Sequence, residues 1–180
     1  MYTVEACQSI LDTGRSTTEE ALQLFDSLDP VNVEFMLGRW RGSELETNHP
    51  MNGLLAIANW YGKEFIDPET VHPLLFLDNN GDILKVAPKA NLMKWMLQIP
   101  LPRNTALKPV LSFINTFLKT ENSQARLRMM ECRGSVTATM IYDYLPINDS
   151  FKKIDDNTVL GIMDYKELAQ PFFFVLKREV

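Results

Sequence analysis

The stretch ARLRMMECRGSVTATMIYDYLP, residues 125–146, sets the class of fold. Apolar and polar side chains alternate along it, and Gly134-Ser135 interrupts the run midway, which predicts a β-hairpin. With Gly134-Ser135 as a two-residue turn, Met129 faces Met140, Leu127 faces Tyr142 and Arg126 faces Asp143. One face is then apolar, with Leu127, Met129, Met140 and Tyr142. The other joins Arg126, Arg128 and Asp143 to threonines. A slip of one residue would exchange the faces. Arg126 and Asp143 therefore read either as a surface ion pair or, if their face is internal, as a group that binds carboxylates.

The same period continues downstream. FKKIDDNTVLGIMD (151–164) predicts a hairpin turning near Asp155–Asn157, and PFFFVLKREV (171–180) a final strand. Upstream, VHPLLFLDNNGDILKVAP (71–88) predicts a hairpin about Asn80-Gly81, which suits a type I′ turn and pairs Leu77 with Leu84 and Leu75 with Val86. GRSTTEEALQLFDSLDP (14–30) reads as a helix with a capping box, Ser16 with Glu19 or Thr17 with Glu20, ended by Pro30. NGLLAIANWYGKEF (52–65) suggests a short helix closed near Gly62. Residues 90–100 suggest another. In ALKPVLSFINTFLKT (106–120), Leu107, Val110, Leu111, Ile114, Phe117 and Leu118 fall at helical spacing, with Pro109 tolerable in the first turn.

Helix, strands, helices, strands is the order of an antiparallel α+β protein or barrel, not of alternating βαβ units. The expectation is a mainly β, single domain over 1–180. Residues 1–15 would be an N-terminal tail, 16–88 a first half, 89–124 a helical excursion and 125–180 a C-terminal β half. The first half has too few strands to close a sheet alone.

The chain has 180 residues and a net charge of −5, enough length for one core and the wrong sign for nonspecific nucleic-acid binding. No run of about 18 apolar residues predicts a spanning helix. The opening MYTVEACQSI lacks a basic stretch followed by an apolar one, so no signal peptide and a cytoplasmic location are expected. Cys7 and Cys132 read as free thiols.

Motifs for chemistry are sparse. His49 and His72 each precede a proline, and no H-x-x-x-H, H-E-x-x-H or C-x-x-C pattern occurs, so no metal site is expected. A single histidine suffices for a haem iron, and His72 is the better placed, with a hydrogen-bonded structural role as the alternative. There is no G-x-S-x-G elbow, P-loop or dinucleotide fingerprint. Asp155-Asp156-Asn157 looks like part of an EF-hand loop without its glycine and closing glutamate, and reads as a turn. Asp143 and Asp149 flank YLPIN and form either an acid/base pair in a cleft or surface carboxylates. The 106–118 helix reads as core, as a lid over a cavity, or as a membrane contact framed by Lys94, Arg103, Lys108 and Lys119.

LGRWRG (37–42), HPMNGLL (49–55), NWYGKEF (59–65) and VHPLLF (71–76) together resemble the GXWXG domain family. ARLRMMECRG (125–134), ATMIYDYLPINDSFKKIDDNTVLGIMD (138–164) and FFFVLKRE (172–179) resemble the C-terminal domain of unknown function that follows it. The two cover roughly residues 20–180. Ser150-Phe151-Lys152 departs from the pattern, which has a basic or aromatic residue before the Phe and an arginine after it. The resemblance carries no reaction with it. Gly38-x-Trp40-x-Gly42 is also similar to the lipocalin and fatty-acid-binding (calycin) group. That similarity implies a calycin-like barrel in which Trp40 closes one end, under an arginine of the last strand, here Arg178.

The leading functional expectation is non-catalytic binding of a small hydrophobic molecule (a fatty acid, another lipid or a tetrapyrrole) in a barrel cavity. Met129, Met140, Tyr142, Trp60, Phe76 and Phe173 would form its wall, with His72 and Asp143 as further contacts. Arg126 or Arg128 would hold an acidic head group. Such a site calls for an apolar cavity above about 300 Å³ with an arginine inside. One alternative is an isomerase, lyase or hydrolase acting through Tyr142, Asp143, Asp149 and His72. The other is a membrane or protein interaction module using the amphipathic helix. Cofactor and oligomeric state stay unassigned.

Overall fold

In the computed structural model, which describes residues 4–87, 89–90 and 107–179, period-two segments become strands of one antiparallel sheet. The strands are β1 (Asp29–Pro30), β2 (Gly38–Leu45), β3 (Trp60–Asp67), β4 (Thr70–Leu77), β5 (Ile83–Lys85), β6 (Ala125–Cys132), β7 (Ser135–Tyr142), β8 (Ile147–Asp155), β9 (Thr158–Tyr165) and β10 (Phe172–Arg178). The described helices are α1 (Val4–Thr13), α2 (Thr18–Ser27), α3 (Val33–Met36), α4 (Leu54–Ile57) and α5 (Lys108–Phe117).

Eight strands close on themselves as a ring in the order β2, β3, β4, β6, β7, β8, β9, β10 and back to β2. β5 hangs on β4, and β1 on β8. The closing pair runs from Trp40 opposite Arg178 to Leu45 opposite Phe173. Pairing is thinnest between β4 and β6, where only Val71 and Ala125 are partnered.

Alternation sends one set of side chains inward. Trp40, Phe65, Leu127, Met140, Phe151, Val159, Phe174 and Leu176 build the inner core. The opposite set on β2, β9 and β10 (Leu45, Leu160, Ile162, Phe173, Val175) meets Ile10 of α1 and Ala21, Leu24 and Phe25 of α2. Residues 4–13, expected as part of a tail, are thus helical, and Ile10 and Leu11 add to a second core outside the ring. The α2 capping box is the Thr17–Glu20 one, with both reciprocal hydrogen bonds present.

Trp40 is fully buried, and its indole N–H donates to the Met36 carbonyl at 2.8 Å. The Arg178 guanidinium lies 4.1 Å from the centre of its ring and donates to the carbonyls of Leu37 and Phe35 at 2.8 and 2.6 Å. One side chain therefore satisfies the end of α3, covers the indole by a cation–π contact and belongs to the closing strand. Gly38, at φ 115°, starts β2 in a conformation that L side chains rarely adopt. Gly42 serves by its lack of volume, since a Cβ there would run into the Trp60 ring.

Two hairpin registers differ from expectation. In β6–β7 the turn is Arg133-Gly134, both at positive φ, so Leu127 faces Met140, Met129 faces Ala138 and Arg126 faces Ile141. Asp26 of α2 grips Arg133 through two 2.6 Å hydrogen bonds and holds it in this turn. The partner sum changes by two, so inward and outward sets are unchanged. In β4–β5, Asp78 accepts from the Asn80 and Asp82 amides and spreads the loop over 78–82. Phe76 then faces Leu84, and Leu77 faces Ile83. The helix expected around 52–65 is confined to α4, because Trp60 already begins β3. α5 has Pro109 in its first turn as expected, whereas the helix suggested for 90–100 falls almost entirely outside the described residues.

Truncating Trp40 leaves a large void under Arg178. Trp40→Ala is expected to cost about 3–5 kcal/mol in urea unfolding, as for other buried aromatics. Arg178→Met should cost less and leave the far end of the ring intact by amide exchange.

Candidate functional site

At the other end of the inner face the packing opens. Trp60, Lys63, Leu74 and Phe76 of β3 and β4, Tyr142 of β7, Ile147 and Asp149 of β8, Met163 of β9, and Phe172 and Phe174 of β10 surround a cavity of about 140 Å³. Leu54 and Leu55 of α4 and Leu111, Ile114 and Asn115 of α5 cover it. Two glycines make the room. The Trp60 ring lies over Gly42 and the Phe174 ring over Gly161, where a Cβ would collide with either. The two rings meet edge to face at 5.9 Å.

Into this apolar space project one cation and one anion. Lys63 Nζ is 2.8 Å from Asp149 Oδ2, with side chains 3% and 1% exposed. Nζ also donates to the Pro73 carbonyl at 3.2 Å and lies 4.9, 5.7 and 5.8 Å from the ring centres of Phe174, Trp60 and Tyr142. Among the described residues, Asp149 Oδ1 and the Trp60 indole N–H have no hydrogen-bond partner. Burial pushes the Asp149 carboxyl up, and the Lys63 ammonium pulls it part of the way back. Burial, reinforced by the Asp149 charge, keeps the Tyr142 hydroxyl protonated well above the ordinary tyrosine range. The arrangement presents a buried ion pair beside Tyr142 and an aromatic wall.

Of the residues named from sequence, Trp60, Phe76, Tyr142 and Asp149 line this cavity. The arginines expected inside do not. Arg126 points outward to Asp143 at 3.5 Å, and Arg128 outward to Glu69 at 2.7 Å. They share the parity of the face turned away from the core, so the internal cation is a lysine. Asp143 is likewise outside and does not meet Asp149. Met129 is half-exposed midway along β6, Met140 is packed in the inner core, and Phe173 faces α2. His72 is buried on β4 but does not line the cavity. Its Nδ1 has no partner among the described residues, and burial together with Lys85 lowers its pKa. His49 Nδ1 accepts from the Met51 amide. Lys152 donates to the Leu28 carbonyl at 3.0 Å beneath α2. No cluster of three metal-ligating side chains occurs among the described residues.

Lys63 was not legible as a site residue. It stands between Gly62 and Glu64, and irregular pairing on both sides of Gly62 defeats simple alternation. The one signal is its position opposite Trp40, which requires the β2–β3 register.

Breaking this pair leaves a buried charge alone. Asp149→Asn is expected to cost about 3–5 kcal/mol, whereas Lys63→Met with Asp149→Leu together should come within about 1 kcal/mol of the parent or exceed it. A carboxyl raised by folding holds its proton more tightly in the folded state, so its contribution to stability falls as pH rises from about 4 through the raised value. The advantage of the double variant should therefore be larger at pH 7 than near pH 4 in urea titrations.

The sequence model described as GXWXG protein matches residues 23–81, and the one described as a domain of unknown function (DUF4334) matches residues 123–178. These two segments contribute β2–β4 and β6–β10, so the ring is built from both. No curated protein matches the chain. A crystal structure of a protein from Thermomonospora curvata is 33% identical, covers 98% of this chain and 97% of its own, and superposes with a TM-score of 0.72. The chain joins a GXWXG segment to a DUF4334 domain and belongs to the family that these two models describe.

Proposed function

We propose that the protein binds a compact hydrophobic molecule inside a calycin-like barrel formed by the eight-stranded ring. The observation that carries this reading is an apolar, aromatic-walled cavity with an ion pair at its base. Small barrels hold single ligands in this way, with a few polar groups fixing orientation. The volume argues for size. An apolar cavity of about 150 Å³ takes up benzene, so about 140 Å³ suits a guest of that order or the end of an acyl chain better than a tetrapyrrole. This is smaller than the 300 Å³ expected from sequence, and it changes the expected head group. Lys63 is already neutralised by Asp149, so a neutral polar group fits here better than the carboxylate an internal arginine would have recruited.

The covering helix favours a second role beside the first. α5 turns Leu111 and Ile114 to the cavity and leaves Val110, Phe113 and Phe117 exposed, the two rings 4.8 Å apart. This supports peripheral contact with a membrane from which an apolar ligand is drawn.

Native mass spectrometry with benzyl alcohol, indole and octanoic acid tests the cavity. One equivalent of the neutral ligands should bind, and Ala58→Phe, which fills the cavity from its lining, should weaken binding at least tenfold with the melting temperature nearly unchanged. Vesicle co-sedimentation tests α5, where Phe113→Ser with Phe117→Ser should reduce recovery severalfold.

A further inference from the structure

We propose that Lys63 binds its ligand covalently, condensing with the aldehyde or ketone group of a compact apolar molecule to form a reversible imine held by Asp149. The proposal rests on the cavity being a ligand site, and it names the ligand's functional group.

Lysine is seldom fully buried, and a buried ion pair is commonly no more stabilising than the apolar residues that could replace it. Here the ammonium is enclosed by one carboxylate, one carbonyl and three ring faces at the wall of the cavity. Desolvation in an apolar site is one of the ways a lysine is activated as a nucleophile, and an adjacent base is the group that can take its proton. Asp149 is that acceptor at 2.8 Å, and its second oxygen has no partner among the described residues. Its raised proton affinity suits a group that takes up and returns a proton.

The chemistry balances without any other reagent. Asp149 accepts one proton from the ammonium, and the freed lone pair of Nζ attacks the carbonyl carbon. The C–N bond forms as the C–O π bond opens, and a proton moves from nitrogen to that oxygen to give a carbinolamine. Asp149 then returns its proton to the hydroxyl, which leaves as water while the nitrogen lone pair forms the C=N bond. Three hydrogens on nitrogen become one on the iminium and two in water. The site begins and ends with one cation beside one carboxylate, so no new charge is buried. A carboxylate ligand would instead add an anion next to Asp149. The faces of Trp60, Tyr142 and Phe174 stabilise the iminium as they do the ammonium. Tyr142 lines the same space, and burial keeps its hydroxyl neutral.

The test is reductive trapping. The whole protein is incubated with benzaldehyde and sodium cyanoborohydride near neutral pH, and the adduct is located by peptide mapping. The expected result is a single benzyl adduct on Lys63, formed at least tenfold faster than on any exposed lysine and suppressed by excess benzyl alcohol. Lys63→Met with Asp149→Leu, which keeps the cavity apolar, should abolish it while labelling of the remaining lysines is unchanged. Lys63 labelled no faster than exposed lysines would overturn the proposal. If benzyl alcohol still binds in that case, the cavity reading stands and only the covalent step is lost. If neither occurs, both are lost.

Discussion

The pairing of β2 with β10 is the constraint on which the interior depends. It joins a strand near the beginning of the chain to the last one, and it makes a sheet into a ring. Without it, Trp40, Phe174 and Leu176 would face water from an open edge. Trp40 and Arg178 stand opposite each other on this seam, so the cation–π contact and the closing hydrogen bonds are one cooperative unit. Because the contact spans most of the chain, closing it carries a large loop entropy.

Closure also creates the cost at the cavity. Each ion of a buried pair loses several kcal/mol of hydration, and good geometry only roughly restores it. Lys63 and Asp149 meet because Lys63 projects inward from β3 and Asp149 from β8, across the ring. The aromatic rings around Nζ exclude water and still offer negative faces to the cation. Gly42 and Gly161 are the positions that let those rings lie close to the sheet. The family-defining Gly-x-Trp-x-Gly thus serves both ends. Trp40 fills one, and Gly42 vacates space for Trp60 at the other.

How much of this could be read from sequence follows from what each signal encodes. Alternation in 125–164 encodes faces, and it survived a turn displaced by one residue because parity is conserved when both strands shift. It did not survive the Asp78 loop, where a side chain lengthened the turn and changed the partner of Leu84. The face carrying Arg126 and Arg128 was legible, but which face turns inward depends on ring closure, and that is a tertiary fact. The Trp40–Arg178 juxtaposition was accessible through the motif. Lys63 was hidden by the irregular β3–β4 pairing, and the packing of Ile10 in α1 takes shape only against the outer face of β2, β9 and β10.

Where β4 meets β6, one residue pair stands in for a ladder. The Gln124 amide donates to the Val71 carbonyl at 3.0 Å, and Ser123 adds to the joint, its hydroxyl accepting from the Val71 amide at 3.1 Å and lying within hydrogen-bond reach of the carbonyls of Val71 and Ala125. This is the point at which the chain returns to the ring after the excursion that carries α5. A seam with so short a ladder transmits little register from one strand to the next. Residues gained or lost between β5 and β6 over evolutionary time would therefore leave the inward and outward faces of both halves undisturbed. A change in the length of that excursion would alter the cover of the cavity and leave its walls in place.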